Sequence, residues 1–144
     1  MKIPKQTGFT MLEVLVTMVI LSFGLLGIAG IIANGLKNNQ SSYARSQASW
    51  LANDIVDRMR ANRAAAEVAS SPYNLAIGTA PTGATVAAID LTSWRSALAA
   101  SLPSGTGGVT LDNASKKVTV TVQWDESRIK NASNAERFIV ETKL

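Results

Sequence analysis

The sequence predicts an α+β fold in which one long amino-terminal helix packs on a small carboxy-terminal antiparallel sheet. Three observations predict it. No charged residue stands between Glu13 and Lys37; no proline stands between Pro4 and Pro72; and Val118, Val120, Val122 and Trp124 alternate with Thr119, Thr121 and Gln123. The first is the pattern of a helix in hydrocarbon, the second lets that helix continue, and the third marks a half-buried strand. The chain has 144 residues, room for one small domain with an appendage. Its 47% hydrophobic and 17% charged residues exclude a disordered chain. With no histidine and no cysteine, imidazole bases, thiolate nucleophiles, disulfides and the usual zinc, haem and iron–sulfur ligands are excluded. No catalytic residue, metal site or cofactor is expected, and the chain reads as a non-enzyme.

Between Glu13 and Lys37 only Thr17, Ser22 and Asn34 are polar, and at about 1.5 Å per residue the run spans a hydrocarbon core of roughly 30 Å. A buried core helix is the bland alternative, but the rest of the chain is too short to wrap a helix that is apolar all round. A cleaved secretory signal is the sharper rival, with Gly27-x-Ala29 as its small-x-small site. Against it, Ile31, Ile32 and Leu36 prolong the apolar run, and Glu13 is an unusual entrance to a signal core. Lys2, Lys5 and the amino terminus are nearly matched by Lys37 and Arg45, so charge orients the segment weakly; the short basic end is read as cytoplasmic. Glu13 is a carboxylate at the edge of hydrocarbon, which costs up to about 3 kcal/mol at a helix centre and less near its end. It either stays wet at headgroup level or meets a positive group of another chain. Gly24, Gly27 and Gly30, with Ala29 and Ala33, suit close helix packing as well as they suit the ordinary composition of a membrane helix.

Gly8-Phe9-Thr10-Met11-Leu12-Glu13-Val14-Leu15-Val16, preceded by Met1 to Thr7 and followed by the apolar run, resembles the class III signal of type IV prepilins. The resemblance implies cleavage by prepilin peptidase after Gly8, N-methylation of the new amino terminus Phe9, and a role for Glu13 in neutralising a neighbour's terminal amine during filament assembly. Val14 to Val16, Ser22 to Gly30 and Asp57-Arg58-Met59-Arg60-Ala61-Asn62-Arg63 resemble minor pilins of the PilV type. Major pilins commonly carry a helix-kinking proline where this chain has Gly30. The implied organisation is a leader over 1–8, a transmembrane and filament-core helix over 9–36, an amphipathic stalk over 37–66 and a globular head over 67–144. The implied partners are the inner membrane, prepilin peptidase, and other major and minor pilins in a hetero-oligomeric filament. The head is expected in the periplasm, then at the cell surface in the pilus, with roles in assembly, adhesion, twitching motility or DNA uptake. A type II secretion pseudopilin shares the signal, and a tethered or secreted ligand- or DNA-binding domain is the rival of another class.

Beyond Lys37 the chain turns polar but keeps a helical period through Ala44, Ala48, Leu51, Ile55, Met59, Asn62 and Ala66. A helix from about Phe9 to about Ala66 would be on the order of 85 Å long. Asp54 with Arg58 and Asp57 with Arg60 stand at favourable spacings. Arg58, Arg60 and Arg63 form a basic cluster with two readings, a DNA or subunit contact and a solvated face with local acidic partners. No aromatic platform interleaves with them, which favours the second. Tyr43 and Trp50 are read as packing residues of the stalk.

Residues 70–90 read as a loop with one short strand around Tyr73 to Ile77. Leu91, Trp94, Leu98 and Leu102 share a helical face, with Asp90 or Thr92 expected as cap and Pro103 as stop. Ser104 to Gly108 reads as a flexible turn that lacks the spacing of a phosphate loop. Val109 to Leu111 and Val118 to Trp124 flank a turn at Asp112 to Ser115, and Phe138 to Thr142 follows a polar loop as a third strand. Asp125 and Glu126, adjacent in that loop, are expected to be solvated. Asn39, Asn113 and Asn131 each begin a weak N-x-Ser sequon.

Overall fold

The computed structural model describes residues 8–127 and 133–144; the leader residues 1–7, with Lys2 and Lys5, and the Asn131 sequon lie outside the described residues. The order of elements is α1 (Met11–Ala61), α2 (Arg63–Ala66), α3 (Val86–Ser101), β1 (Thr106–Asp112), β2 (Lys117–Trp124) and β3 (Glu136–Lys143). Two compact units divide this chain, Met1–Asn39 and Gln40–Leu144. The fold is α+β, as the sequence predicts.

In the first unit α1 starts behind Thr10, whose Oγ1 accepts from the Glu13 N–H at 3.3 Å, the N-cap arrangement that satisfies an otherwise orphaned donor. The two hydroxyls within the apolar run are satisfied locally: Thr17 Oγ1 donates to Glu13 O at 2.6 Å and Ser22 Oγ to Met18 O at 2.7 Å. Hydroxyls bonded back to the preceding turn present little polarity to an apolar surround. The most apolar stretch has a mean hydropathy of 2.5 and none of it is buried. By length and composition it can cross a membrane.

In the second unit the remainder of α1 lies on the sheet through Ala44, Ala48, Leu51, Ala52, Ile55, Val56 and Met59. Alanine at three of these positions leaves room in the seam for larger side chains of the sheet. The helix ends at Ala61 rather than Ala66. Asn62 leaves helical geometry, with φ −113° and ψ 43°, and its Nδ2 donates to Tyr73 Oη at 3.1 Å; α2 adds one turn beyond it. Tyr43 and Trp50, expected to pack, are instead 63% and 68% exposed, because they fall opposite the Ala48 and Leu51 face.

The sheet is antiparallel in the order β1-β2-β3, with Val109 opposite Val120 and Val122 opposite Phe138. Val118, Val120, Val122 and Trp124 all point into the core, so the alternation was a faithful guide. α3 lays Leu91, Trp94 and Leu98 against the same core, and Trp94 Nε1 donates to Leu51 O of α1 at 2.8 Å. A buried indole N–H needs such an acceptor. The α3 cap is Thr85, whose Oγ1 accepts from Ala88 N at 3.2 Å; neither Asp90 nor Thr92 performs it. The helix therefore starts earlier than expected.

Two further expectations change. The short strand around Tyr73 to Ile77 reduces to one bridge, Leu75 with Val109, made by reciprocal hydrogen bonds of 2.8 and 2.9 Å. Of the expected turn Ser104 to Gly108, only Ser104 and Gly105 lie before β1, with Gly105 N donating to Leu102 O at 2.9 Å, while Thr106 to Gly108 open the strand. At Gly107 a Cβ would stand 2.5 Å from Trp94 Cη2 and at Gly108 2.8 Å from Leu75 O, so these glycines make room for neighbours. The Asp112 to Ser115 turn is present, with Asp112 accepting from Ala114 N and Ser115 Oγ. Those two donors, the Ser115 hydroxyl foremost, hold the Asp112 carboxyl below its ordinary range.

Candidate functional site

Of the predicted processing segment, Gly8 and Phe9 are described, and both are exposed. Gly8 and Phe9 precede the first turn of α1, Phe9 is 83% exposed, and a Cβ at Gly8 would meet nothing within 4 Å. Phe9 and Glu13 line one shallow groove with Val14, Thr17, Met18 and Leu21. Glu13 is the acidic residue of the first helical turn. There the unpaired N–H groups and the helix dipole favour a negative charge by about 0.3–1 kcal/mol at an exposed site. The structure therefore places Phe9 beside Glu13, the acidic residue just ahead of the apolar run, with Gly8 immediately before them.

The three arginines are placed differently. Arg58 Nε bonds Asp54 Oδ2 at 3.0 Å and its Nη1 stands 3.7 Å from Asp90 Oδ1. Arg60 pairs with Asp57 at 2.9 Å and donates to Thr142 Oγ1 and Lys143 O, both at 3.3 Å. Arg63 pairs with Glu67, which Lys116 also reaches at 3.1 Å. Arg63 foremost, then Lys116, holds the Glu67 carboxyl below its ordinary value. Each guanidinium thus has a local acid, the arrangement that the spacings of Asp54 and Asp57 indicate. Arg60 also clamps β3 to α1.

Sequence reasoning missed two polar clusters. In the first, Tyr73 is buried, receives Asn62 Nδ2 and donates to Asp90 Oδ2 at 2.6 Å. Burial, reinforced by the Asp90 carboxylate, pushes the phenol up to about 12. In the second, Glu126 is 8% exposed rather than solvated, and its Oε1 accepts from Ser41 Oγ and Trp124 Nε1, both at 3.1 Å. Neither cluster has a local signal, since each joins residues far apart in the chain. Among the described residues no group of three or more acidic side chains is placed to hold a metal ion.

A family model described as the prokaryotic N-terminal methylation motif matches residues 3–29. That span contains Gly8, Phe9 and Glu13 and most of the apolar run. No curated protein and no solved structure matches the chain. The motif, with the exposed apolar helix behind it, supports a prepilin-like or pseudopilin protein that is anchored in a membrane and methylated at its amino terminus.

Proposed function

We propose that the chain is a minor pilin of a type IV pilus, of the PilV type, whose work is assembly. The leader 1–8 is removed by prepilin peptidase after Gly8 and Phe9 is methylated. Before assembly the apolar part of α1 lies in the inner membrane, with the amino terminus cytoplasmic and the head periplasmic. In the filament the apolar helices bundle, and Glu13 meets the terminal amine of a neighbouring subunit. In that low-dielectric setting an ion pair is far stronger than in water, and it removes the cost of an unpaired carboxylate. The subunit joins other major and minor pilins, and through the start of assembly it affects adhesion, twitching motility or DNA uptake.

The observation that carries this reading is the methylation motif joined directly to an apolar helix with no core of its own. The same motif favours a second reading, a pseudopilin of a type II secretion system. Arg58, Arg60 and Arg63 support a structural part, since each has its own acid, more than a DNA contact. The test is the intact mass and amino-terminal sequence of the protein from membranes of a host with prepilin peptidase. A chain beginning at methylated Phe9 is expected. Cleavage after Ala29, or an unprocessed Met1, would overturn the reading and favour a secreted or tethered binding domain.

A further inference from the structure

The second unit holds a cavity of about 180 Å³ whose walls are mainly apolar, formed by Tyr43 and Ala44 of α1, Pro103 after α3, and Trp124 at the end of β2. Glu126 lines it too. Glu126 as a whole residue is 8% exposed, and the two hydrogen bonds its carboxylate accepts from side chains, from Ser41 and Trp124, come from neutral donors that converge on Oε1. Among the described residues none of the ion pairs reaches Glu126. Two neutral donors orient a carboxylate without cancelling its charge, and a buried charge is costly unless a cation joins it. The cavity also offers Tyr43, 63% exposed, as an aromatic wall that a cation can approach.

We propose that this cavity receives a basic side chain, lysine or arginine, from an adjoining protein subunit. The apolar walls take the aliphatic stem and Glu126 takes the charged head, so that stem and head are satisfied by different parts of one cavity. Ser41 and Trp124 are positioning residues, fixing Oε1 while the carboxylate faces its guest. The protein origin of the guest rests on the assembly reading; the demand for a cation with an apolar stem does not.

The test uses the full chain in detergent micelles with ¹⁵N-labelled indoles. Trp124 Nε1–H bonds the Glu126 carboxylate and reports it directly, while exposed Trp50 and buried Trp94 serve as internal references. n-Butylammonium and N-acetyl-lysine methylamide are titrated against n-butanol, a neutral molecule of similar stem. Saturable movement of the Trp124 resonance, at least tenfold tighter for the two cations than for butanol, is expected, with at least a tenfold loss in Glu126→Gln. Equal binding of butanol, or no saturable movement with either cation, overturns the proposal. Binding of butylammonium with exclusion of the lysine derivative overturns its protein source. Should Glu126→Gln not fold, the contrast of cation with butanol in the wild type decides alone. An unprocessed amino terminus would sink the assembly reading and leave this titration as it stands.

Discussion

Residues 11–39 and residues 40–61 belong to one helix, α1, yet they meet opposite surroundings. In the first stretch Leu25 and Ile31 are 65% and 74% exposed; in the second Ile55 and Met59 are fully buried. Local helix propensity does not explain the difference: neither stretch holds proline, and the four glycines at 24, 27, 30 and 35 make the exposed stretch the poorer helix former, yet both are helical. The difference lies in the pattern around the helix. Where apolar residues occupy all sides, a chain of this size does not cover them, and a lipid bilayer is a surround that suits them. Where apolar residues keep to one face, a small sheet and one short helix suffice. One backbone element can thus divide anchoring from folding by side-chain pattern alone.

The comparison is tested most severely on the folded side. Trp94 is fully buried and its indole N–H is bound to Leu51 O, so Trp94→Ala removes a large side chain and leaves that carbonyl one partner short. A loss of about 3–5 kcal/mol is expected, from the cavity and the lost ring contacts together. Urea unfolding in detergent, followed by far-ultraviolet circular dichroism, measures it. A loss below about 1 kcal/mol would mean that α3 is not part of the core that holds the second stretch of α1.

Sequence reasoning succeeded where the deciding information is local or periodic. The methylation motif matched over residues 3–29 is linear, and the inward face of β2 follows from a period of two; the roles of Gly8, Phe9 and Glu13 within that motif belong to the proposed function. Leu91, Trp94 and Leu98 were legible because a period near 3.6 survives in a short helix. It failed where a residue answers to something distant. Asp90 looked like a cap but is engaged by Tyr73 and Arg58, leaving the N-cap to Thr85. Gly107 and Gly108 looked like a turn because nothing nearby in sequence announces Trp94 and Leu75 against their backbone. Tyr43 and Trp50 looked like core on composition, although their positions turn them away from it. The Glu126 cavity is assembled from α1, the segment after α3 and the end of β2, and no window of sequence contains all three.

A smaller effect is expected at the joint where α1 ends. Tyr73→Phe removes the hydroxyl that links Asn62 to Asp90, and about 1–2 kcal/mol should be lost at neutral pH. The phenol is raised from 10.0 to about 12 in the folded chain, so the folded state holds its proton more tightly than the unfolded state does. Its contribution is complete below pH 10 and is lost as pH rises toward 12. The stability difference between wild type and Tyr73→Phe should therefore shrink over that interval, as read by urea midpoints at a series of pH values. A difference independent of pH would remove Tyr73 as the joint between α1 and α3.

The smallest effect on the head is expected from the stretch that looks most hydrophobic. Leu25 is 65% exposed and lies outside the core, and alanine is at least as good a helix former, so Leu25→Ala should move the unfolding of the second unit by no more than about 0.5 kcal/mol. The same substitution removes apolar area that a bilayer would cover, and it should weaken partition from water into lipid vesicles by on the order of 2 kcal/mol. Each measurement alone has a trivial explanation, a silent surface site or a merely less hydrophobic chain. Taken in one variant, an unchanged unfolding midpoint with weaker partition means that the apolar stretch is stabilised by its surroundings and not by the fold. A midpoint shift comparable to that of Tyr73→Phe would break the contrast between the two stretches of α1.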